Sequence, residues 1–151
     1  MPIDRFEDVE AWQAARKLVQ VIYTHTSQGN FARDYGLRDQ IQRAAVSIMA
    51  NIAEGFDSRS NQTFMQFLNY SLRSTTEVQS HLYVALDQSY ITGAEFDDLY
   101  QQAEKTKSII HGFTRYLRSN PKRRTQNVER TPKVHPSKPK VTRQNENGES
   151  R

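Results

Sequence analysis

Arg43, Ser47, Asn51 and Glu54 follow one another at steps of four, four and three. That spacing stacks side chains on one face of an α-helix. A guanidinium, a hydroxyl, an amide and a carboxylate on one stripe suit two kinds of work. They can form a hydrogen-bonded network that fixes helix register, or they can line a pocket for a ligand or a nucleic acid. Glu77, on a later helical segment, can reach the stripe if the two segments pack antiparallel. The network is the preferred assignment, with Arg43 expected to pair with Glu77 or Glu54.

Other chemistry finds little support. The chain has no cysteine, which removes disulfides, thiolate metal sites and cysteine nucleophiles together. A bundled di-iron centre needs Glu-x-x-His pairs on two helices. Here Glu77 and His81 stand four apart, and His25 and His111 are isolated. There is no Gly-x-Ser-x-Gly and no phosphate-cradling loop. No catalytic residue, metal or cofactor is expected, and the chain is not expected to be an enzyme.

Charge is the clearer signal. Residues 1–120 carry 12 Lys and Arg against 14 Asp and Glu, a net of −2. Residues 121–151 carry 9 against 3, a net of +6, so the overall +4 belongs to the C-terminal segment. That segment holds four of the five prolines and no aromatic residue. It cannot bury enough apolar surface to order itself and is expected to be a disordered basic tail. Lys122, Arg123, Arg124, Arg130, Lys133, Lys138 and Lys140 are its candidate phosphate contacts. Arg59, Arg115 and Arg118 are the candidates on the folded part, where they could cluster near one end. Tyr70, Tyr83, Tyr90 and Tyr100 could stack on bases or sit half-buried at interfaces.

These groups need a scaffold, and periodicity supplies one over residues 1–120. Phe6, Val9, Trp12, Ala15, Val19, Ile22 and Tyr23 predict a first helix over about 8–26, ended by Ser27-Gln28-Gly29-Asn30. Leu37, Ile41, Ala44, Ala45, Ile48, Ile52 and Phe56 predict a second over about 37–56, with Gly55 suited to a left-handed cap. The third, about 61–89, carries Phe64, Phe67, Leu68, Ser71, Thr75, Val78, Leu82, Ala85 and Leu86, and Ser60 or Asn61 can cap it. A fourth opens with the capping box Thr92-Gly93-Ala94-Glu95, continues through Phe96, Leu99, Ala103, Thr106, Ile110, Phe113 and Leu117, and stops at Pro121. The expected fold is all-α, an antiparallel up-down-up-down four-helix bundle. Tyr70, Leu72, Val84 and Tyr90 fall outside the third helix's buried stripe and suggest a partner surface. No apolar run approaches the ~20 residues of a membrane span, and Met1 to Asp8 do not read as a secretory signal. A cytoplasmic protein is expected.

The run from Gln40 to Phe56, with Gln40, Arg43-Ala44-Ala45, Ser47-Ile48 and Ala50-Asn51-Ile52-Ala53-Glu54-Gly55, resembles the signature of the four-helix-bundle, or 23S rRNA intervening-sequence, proteins. The resemblance continues through Trp12, Phe64, Phe67-Leu68, Ser74, Glu77 and Leu82 and covers about residues 5–118. It implies a four-helix bundle assembled as a homopentamer. It also implies similarity to accessory variability proteins of diversity-generating retroelements, which associate with a reverse transcriptase and its template RNA. Family members usually have Gly before the helix-three Ser. Here Arg73 precedes Ser74, an arginine that needs room or a carboxylate. Two functions follow as expectations. One is a homo-oligomeric scaffold that binds nucleic acid, RNA before DNA. The other is a protein–protein interaction module of a mobile element or rRNA insertion, without direct nucleic-acid binding.

Overall fold

The structure is a computed structural model that describes residues 3–121. The expected tail, from Lys122 onward, lies outside the described residues. Every regular element among the described residues is helical. A 3-10 turn over Phe6–Asp8 precedes α1 (Glu10–Thr26), α2 (Gly29–Arg33), α3 (Tyr35–Asp57), α4 (Asn61–Asp87) and α5 (Gly93–Ser119). The four long helices are the four predicted ones. Short α2 has no counterpart among the predicted elements.

The helix starts follow local chemistry. The first N–H groups of a helix lack partners, and a side-chain oxygen just before the helix supplies one. Asp34 accepts from the Leu37 N–H at 3.1 Å, opening α3. Ser60 accepts from the Thr63 N–H at 3.1 Å, opening α4. Thr92 and Glu95 exchange both bonds of a capping box at the start of α5. The Thr92 N–H, and then its hydroxyl, hold the Glu95 carboxyl below its ordinary range.

The turns depend on left-handed backbone. The predicted break at Ser27-Gln28-Gly29-Asn30 does end α1, but Gly29, at φ +54°, also starts α2. That single turn drops Phe31 into the core, where its ring stacks on Tyr90 at 5.4 Å. The Tyr90 hydroxyl donates to the other Asp34 oxygen at 2.9 Å, and this bond raises its pKa above the tyrosine norm. After α4 the chain reverses through Ser89 at φ 58°. The Tyr90 N–H bonds back to the Ala85 carbonyl and the Ser89 N–H to Leu86, a Schellman closure without its usual glycine.

The long helices pack in a closed cycle, α1 on α3, α3 on α4, α4 on α5 and α5 on α1. Along α3 and α4 the contacts ascend in one and descend in the other, from Ser47 with Ser74 through Ile48 with Ser71 to Gly55 with Phe64. The two therefore run antiparallel. Between α4 and α5, Phe64 meets Phe113 at 5.3 Å and Tyr83 meets Phe96 at 4.8 Å, again in opposite directions. The predicted apolar faces of the second, third and fourth helices are buried or half-buried. That of α1 is turned slightly about its axis. Its buried line runs through Ala11, Ala15, Leu18, Ile22 and Thr26, leaving Tyr23 45% exposed. A threonine can end this line because its hydroxyl donates to the Ile22 carbonyl and accepts from Gln42.

Gly55 does not cap α3 in a left-handed conformation. It lies inside the helix, and its role is close approach. A Cβ there would sit 2.6 Å from Phe64 Cδ2 and 2.8 Å from Phe67 Cβ, closer than atoms pack. Arg73 creates no such conflict, since it is exposed.

Two opposite substitutions test these assignments by urea denaturation. Gly55→Ala should destabilise the protein by about 1–3 kcal/mol, despite alanine's better helix propensity, because the α3–α4 contact is already full. Ser89→Gly should stabilise it by up to about 1 kcal/mol, because glycine adopts the left-handed turn without the Cβ penalty.

Candidate functional site

On the side of α3 facing away from the core, an open groove of about 700 Å³ runs along the helix. Arg43, Val46, Ser47, Ala50, Asn51 and Glu54 line it from α3, and Tyr23 closes one flank from α1. The sequence stripe is therefore a surface feature, with a half-buried floor and exposed charges.

The floor is a short polar network. Ser47 and Ser74 share a hydroxyl hydrogen bond of 3.0 Å across the α3–α4 contact. The Asn51 amide donates to the Ser47 carbonyl at 2.8 Å and to its hydroxyl at 3.0 Å. One step deeper, the buried Ser71 hydroxyl donates to the Ile48 carbonyl at 2.9 Å. Of the five residues expected to form one network, only Ser47 and Asn51 are bonded together, and Ser74 joins them.

Arg43, Glu54 and Glu77 stand apart. Arg43 and Glu54 are exposed, and among the described residues neither forms an ion pair with the other or with Glu77. Arg43 and Glu54 are eleven steps apart along α3, a rise of about 16 Å. Glu77 instead lies 3.3 Å from His81 Nε2 on its own helix. The physical reason is the rotation of α3 about its axis: Ala44, Ala45, Ile48 and Ile52 take its inward face, so Arg43 and Glu54 point to solvent, away from α4.

The candidate nucleic-acid residues divide in the same way. Arg59, Arg115 and Arg118 are exposed, and none forms an ion pair among the described residues. The Asn61 amide donates to the Leu117 carbonyl at 3.2 Å and to Asn120 at 3.4 Å. That clamp fastens the start of α4 to the end of α5, so all three arginines lie at the same end of the molecule. Lys122, Arg123, Arg124, Arg130, Lys133, Lys138 and Lys140 lie outside the described residues.

The tyrosines are largely engaged with their neighbours. Tyr83, Phe96 and Tyr100 form one ring cluster, with centroids 4.8–6.0 Å apart. Tyr70 packs edge-on to Phe67 and accepts from Gln66, and Tyr90 is held by Asp34 and Phe31. Burial, and secondarily Tyr83 and Glu104, raises the Tyr100 pKa. A polar link that sequence reasoning missed joins α4 to α5, where Gln79, nearly fully buried, donates to Glu104 at 2.7 Å. Its only signal was a polar residue beside Val78 on the apolar stripe. Among the described residues, no group of three or more His, Asp or Glu is placed to hold a metal ion, and no helix is long and apolar enough to cross a membrane.

Stability measurements separate the floor from the rim. Ser71→Ala should cost about 1 kcal/mol, the net worth of a buried hydroxyl bond between helices. Arg43→Ala should stay within about 0.5 kcal/mol, as an exposed side chain without an ion-pair partner does. A large loss on Arg43→Ala, read from the urea midpoint, would mean that the guanidinium is bonded in solution.

Comparison with known proteins bears on this fold. A solved protein with unknown function from the S23 ribosomal protein family, from Bacteroides thetaiotaomicron, superposes with a TM-score of 0.63. The two are 20% identical, over 69% of this chain and 97% of that chain, a likeness that speaks for the fold alone. No curated protein matches the chain. The sequence model of the 23S rRNA-intervening sequence proteins matches residues 7–112, from the turn before α1 to near the end of α5. With its signature run lying on α3 and its floor serines on the α3–α4 contact, the chain belongs to the 23S rRNA-intervening sequence protein family.

Proposed function

We propose that the protein is a cytoplasmic, non-enzymatic, homo-oligomeric scaffold that binds nucleic acid, RNA before DNA, through phosphate contacts. In this reading the long helices form an antiparallel up-down-up-down bundle. The cyclic packing of α1, α3, α4 and α5 and the opposed directions of α3 with α4 and α4 with α5 support it.

One observation carries the nucleic-acid reading. Arg59, Arg115 and Arg118 are exposed and, among the described residues, free of carboxylate partners at the end where α5 finishes, and the chain continues there into Lys122-Arg123-Arg124. Cations not neutralised within the protein remain available to phosphates. A chain segment of net +6 beyond them extends the same field. In an oligomer such segments act together, so modest single-site affinities multiply. The pentameric ring comes from the family resemblance.

A second reading has an observation of its own. Tyr23, Val46, Tyr70 and Val84 are large apolar side chains left 37–45% exposed. Such surface also suits a protein-docking module, with a reverse transcriptase or another product of the same mobile element as partner.

Salt dependence tests the first reading. The logarithm of the affinity for single-stranded RNA should fall linearly with the logarithm of salt concentration, by about 0.7 per phosphate contact. Replacing Arg59, Arg115 and Arg118 with Gln should reduce that slope by about 2 units, and replacing Lys122, Arg123 and Arg124 by a similar amount. Affinity absent at low salt would exclude the first reading. A protein partner retained on the wild-type chain after nuclease digestion would favour the second.

A further inference from the structure

We propose that the aromatic flank formed by α4 and α5 is a docking surface for the chain's own segment 130–143, and that docking there withholds the segment from phosphates. The withholding rests on the nucleic-acid reading of the proposed function, whereas the docking does not.

Two helices build the surface. Tyr83 and Asp87 stand one turn apart on α4, and Asp97, Tyr100 and Glu104 follow at steps of three and four on α5, so each set shares a helix face. The rings join the two faces, Tyr83 meeting Phe96 at 4.8 Å and Tyr100 at 6.0 Å. Phe96 is buried, whereas Tyr83 is 51% exposed. The buried Gln79 amide fixes the Glu104 carboxylate at 2.7 Å. Burial first, then Tyr83 and Glu104, raise the Tyr100 pKa, so ring hydroxyls and carboxylate lie close together. Lys107 answers Glu104 at 3.8 Å. Asp87 and Asp97 are exposed and have no ion-pair partner among the described residues. A tyrosine ring open to solvent beside unpaired carboxylates attracts a cation twice, through the face of the ring and through charge.

The chain carries an occupant of matching chemistry. From Arg130 to Arg143 it has five cations, Arg130, Lys133, Lys138, Lys140 and Arg143, and no acid. Within this stretch Pro136-Ser137-Lys138-Pro139 has the P-x-x-P pattern. Such segments dock on aromatic-lined surfaces because proline restricts the free chain beforehand, so less entropy is lost on binding. Basic residues on either side of the prolines then pair with carboxylates beside the rings. Charge and ring chemistry therefore select the same segment.

Chain length permits the contact within one molecule. Tyr100 and Ser119 are nineteen steps apart on α5, a rise of about 28 Å. The fifteen steps from Pro121 to Pro136 can span up to about 50 Å. A segment tethered this closely acts at an effective concentration on the order of millimolar, so weak contacts suffice. Docking engages Arg130, Lys133, Lys138 and Lys140 and leaves Lys122-Arg123-Arg124 at the basic end of the bundle. RNA must displace the segment before it can use those four cations.

Carbodiimide cross-linking of the full chain, mapped by mass spectrometry, tests the docking. Lys133, Lys138 and Lys140 should link to Asp87, Asp97 or Glu104 in the wild type. When isotope-labelled and unlabelled chains are refolded together, these links should join peptides of the same label. Two charge-neutral variants, Tyr83→Ser and the pair Pro136→Ser with Pro139→Ser, should each lose most of the links. Circular dichroism checks that Tyr83→Ser keeps its helicity, and the proline pair decides if it does not. Each variant should also bind single-stranded RNA about threefold more tightly, the gain expected when about two thirds of the chains are docked. Links that are absent from the wild type, that join different labels, or that persist in the variants overturn the docking. Links lost without a gain in RNA affinity overturn the withholding. RNA affinity absent at low salt in every variant, with the wild-type links present, overturns the nucleic-acid reading and leaves the docking standing.

Discussion

The close approach of α3 to α4 governs most of what this molecule presents to the outside. Gly55 against Phe64 and Phe67 fixes the contact at one end, the Ser71 hydroxyl on the Ile48 carbonyl fixes its middle, and the Ser47–Ser74 bridge fixes its outer edge. Each of these places a side chain no larger than serine's on at least one of the two helices. The same contact fixes how α3 is turned: Ala44, Ala45, Ile48 and Ile52 face inward, and Arg43 and Glu54, on the other side of the helix, face solvent. The groove and its charged rims lie on that outward side.

That constraint also explains what the sequence could and could not disclose. The four long helices were legible because their apolar residues recur at helical spacing and because Ser60 and the Thr92–Glu95 box announce their starts. Their buried faces were legible for the same reason. Gly55 is ambiguous in sequence because a glycine near a predicted helix end has two uses, a left-handed cap and a close approach. Only the position of Phe64 decides between them. The partner expected for Arg43 fails because helical spacing says which residues share a face but not whether that face meets a neighbouring helix or solvent. Ser74, four residues from Val78, carried no sign that it would complete the floor.

The short elements were hidden for a different reason. Five residues, Gly29–Arg33, are too few to show a period. What makes α2 form is tertiary: Phe31 fills space beside Tyr90, and Asp34 serves both the Leu37 N–H and the Tyr90 hydroxyl. The Ser89 reversal is similar. Nothing in Asp87-Gln88-Ser89-Tyr90 signals a left-handed residue. The turn is imposed by α4 ending and Tyr90 returning to the Phe31 pocket. In both places a few long-range contacts override weak local preferences, which local sequence does not record.

Charge along the molecule gives the proposed surfaces a direction. Residues 74–104 contain Glu77, Asp87, Glu95, Asp97, Asp98 and Glu104 and no lysine or arginine. Four of these acids sit at the α4–α5 turn, at the far end of α4 from the Asn61 clamp, about 40 Å away by helix rise. A polyanion is repelled there and attracted at the end with Arg59, Arg115 and Arg118. The ring cluster of Tyr83, Phe96 and Tyr100 lies near the acidic turn, so it is poorly placed as a stacking platform for bases despite its partial exposure.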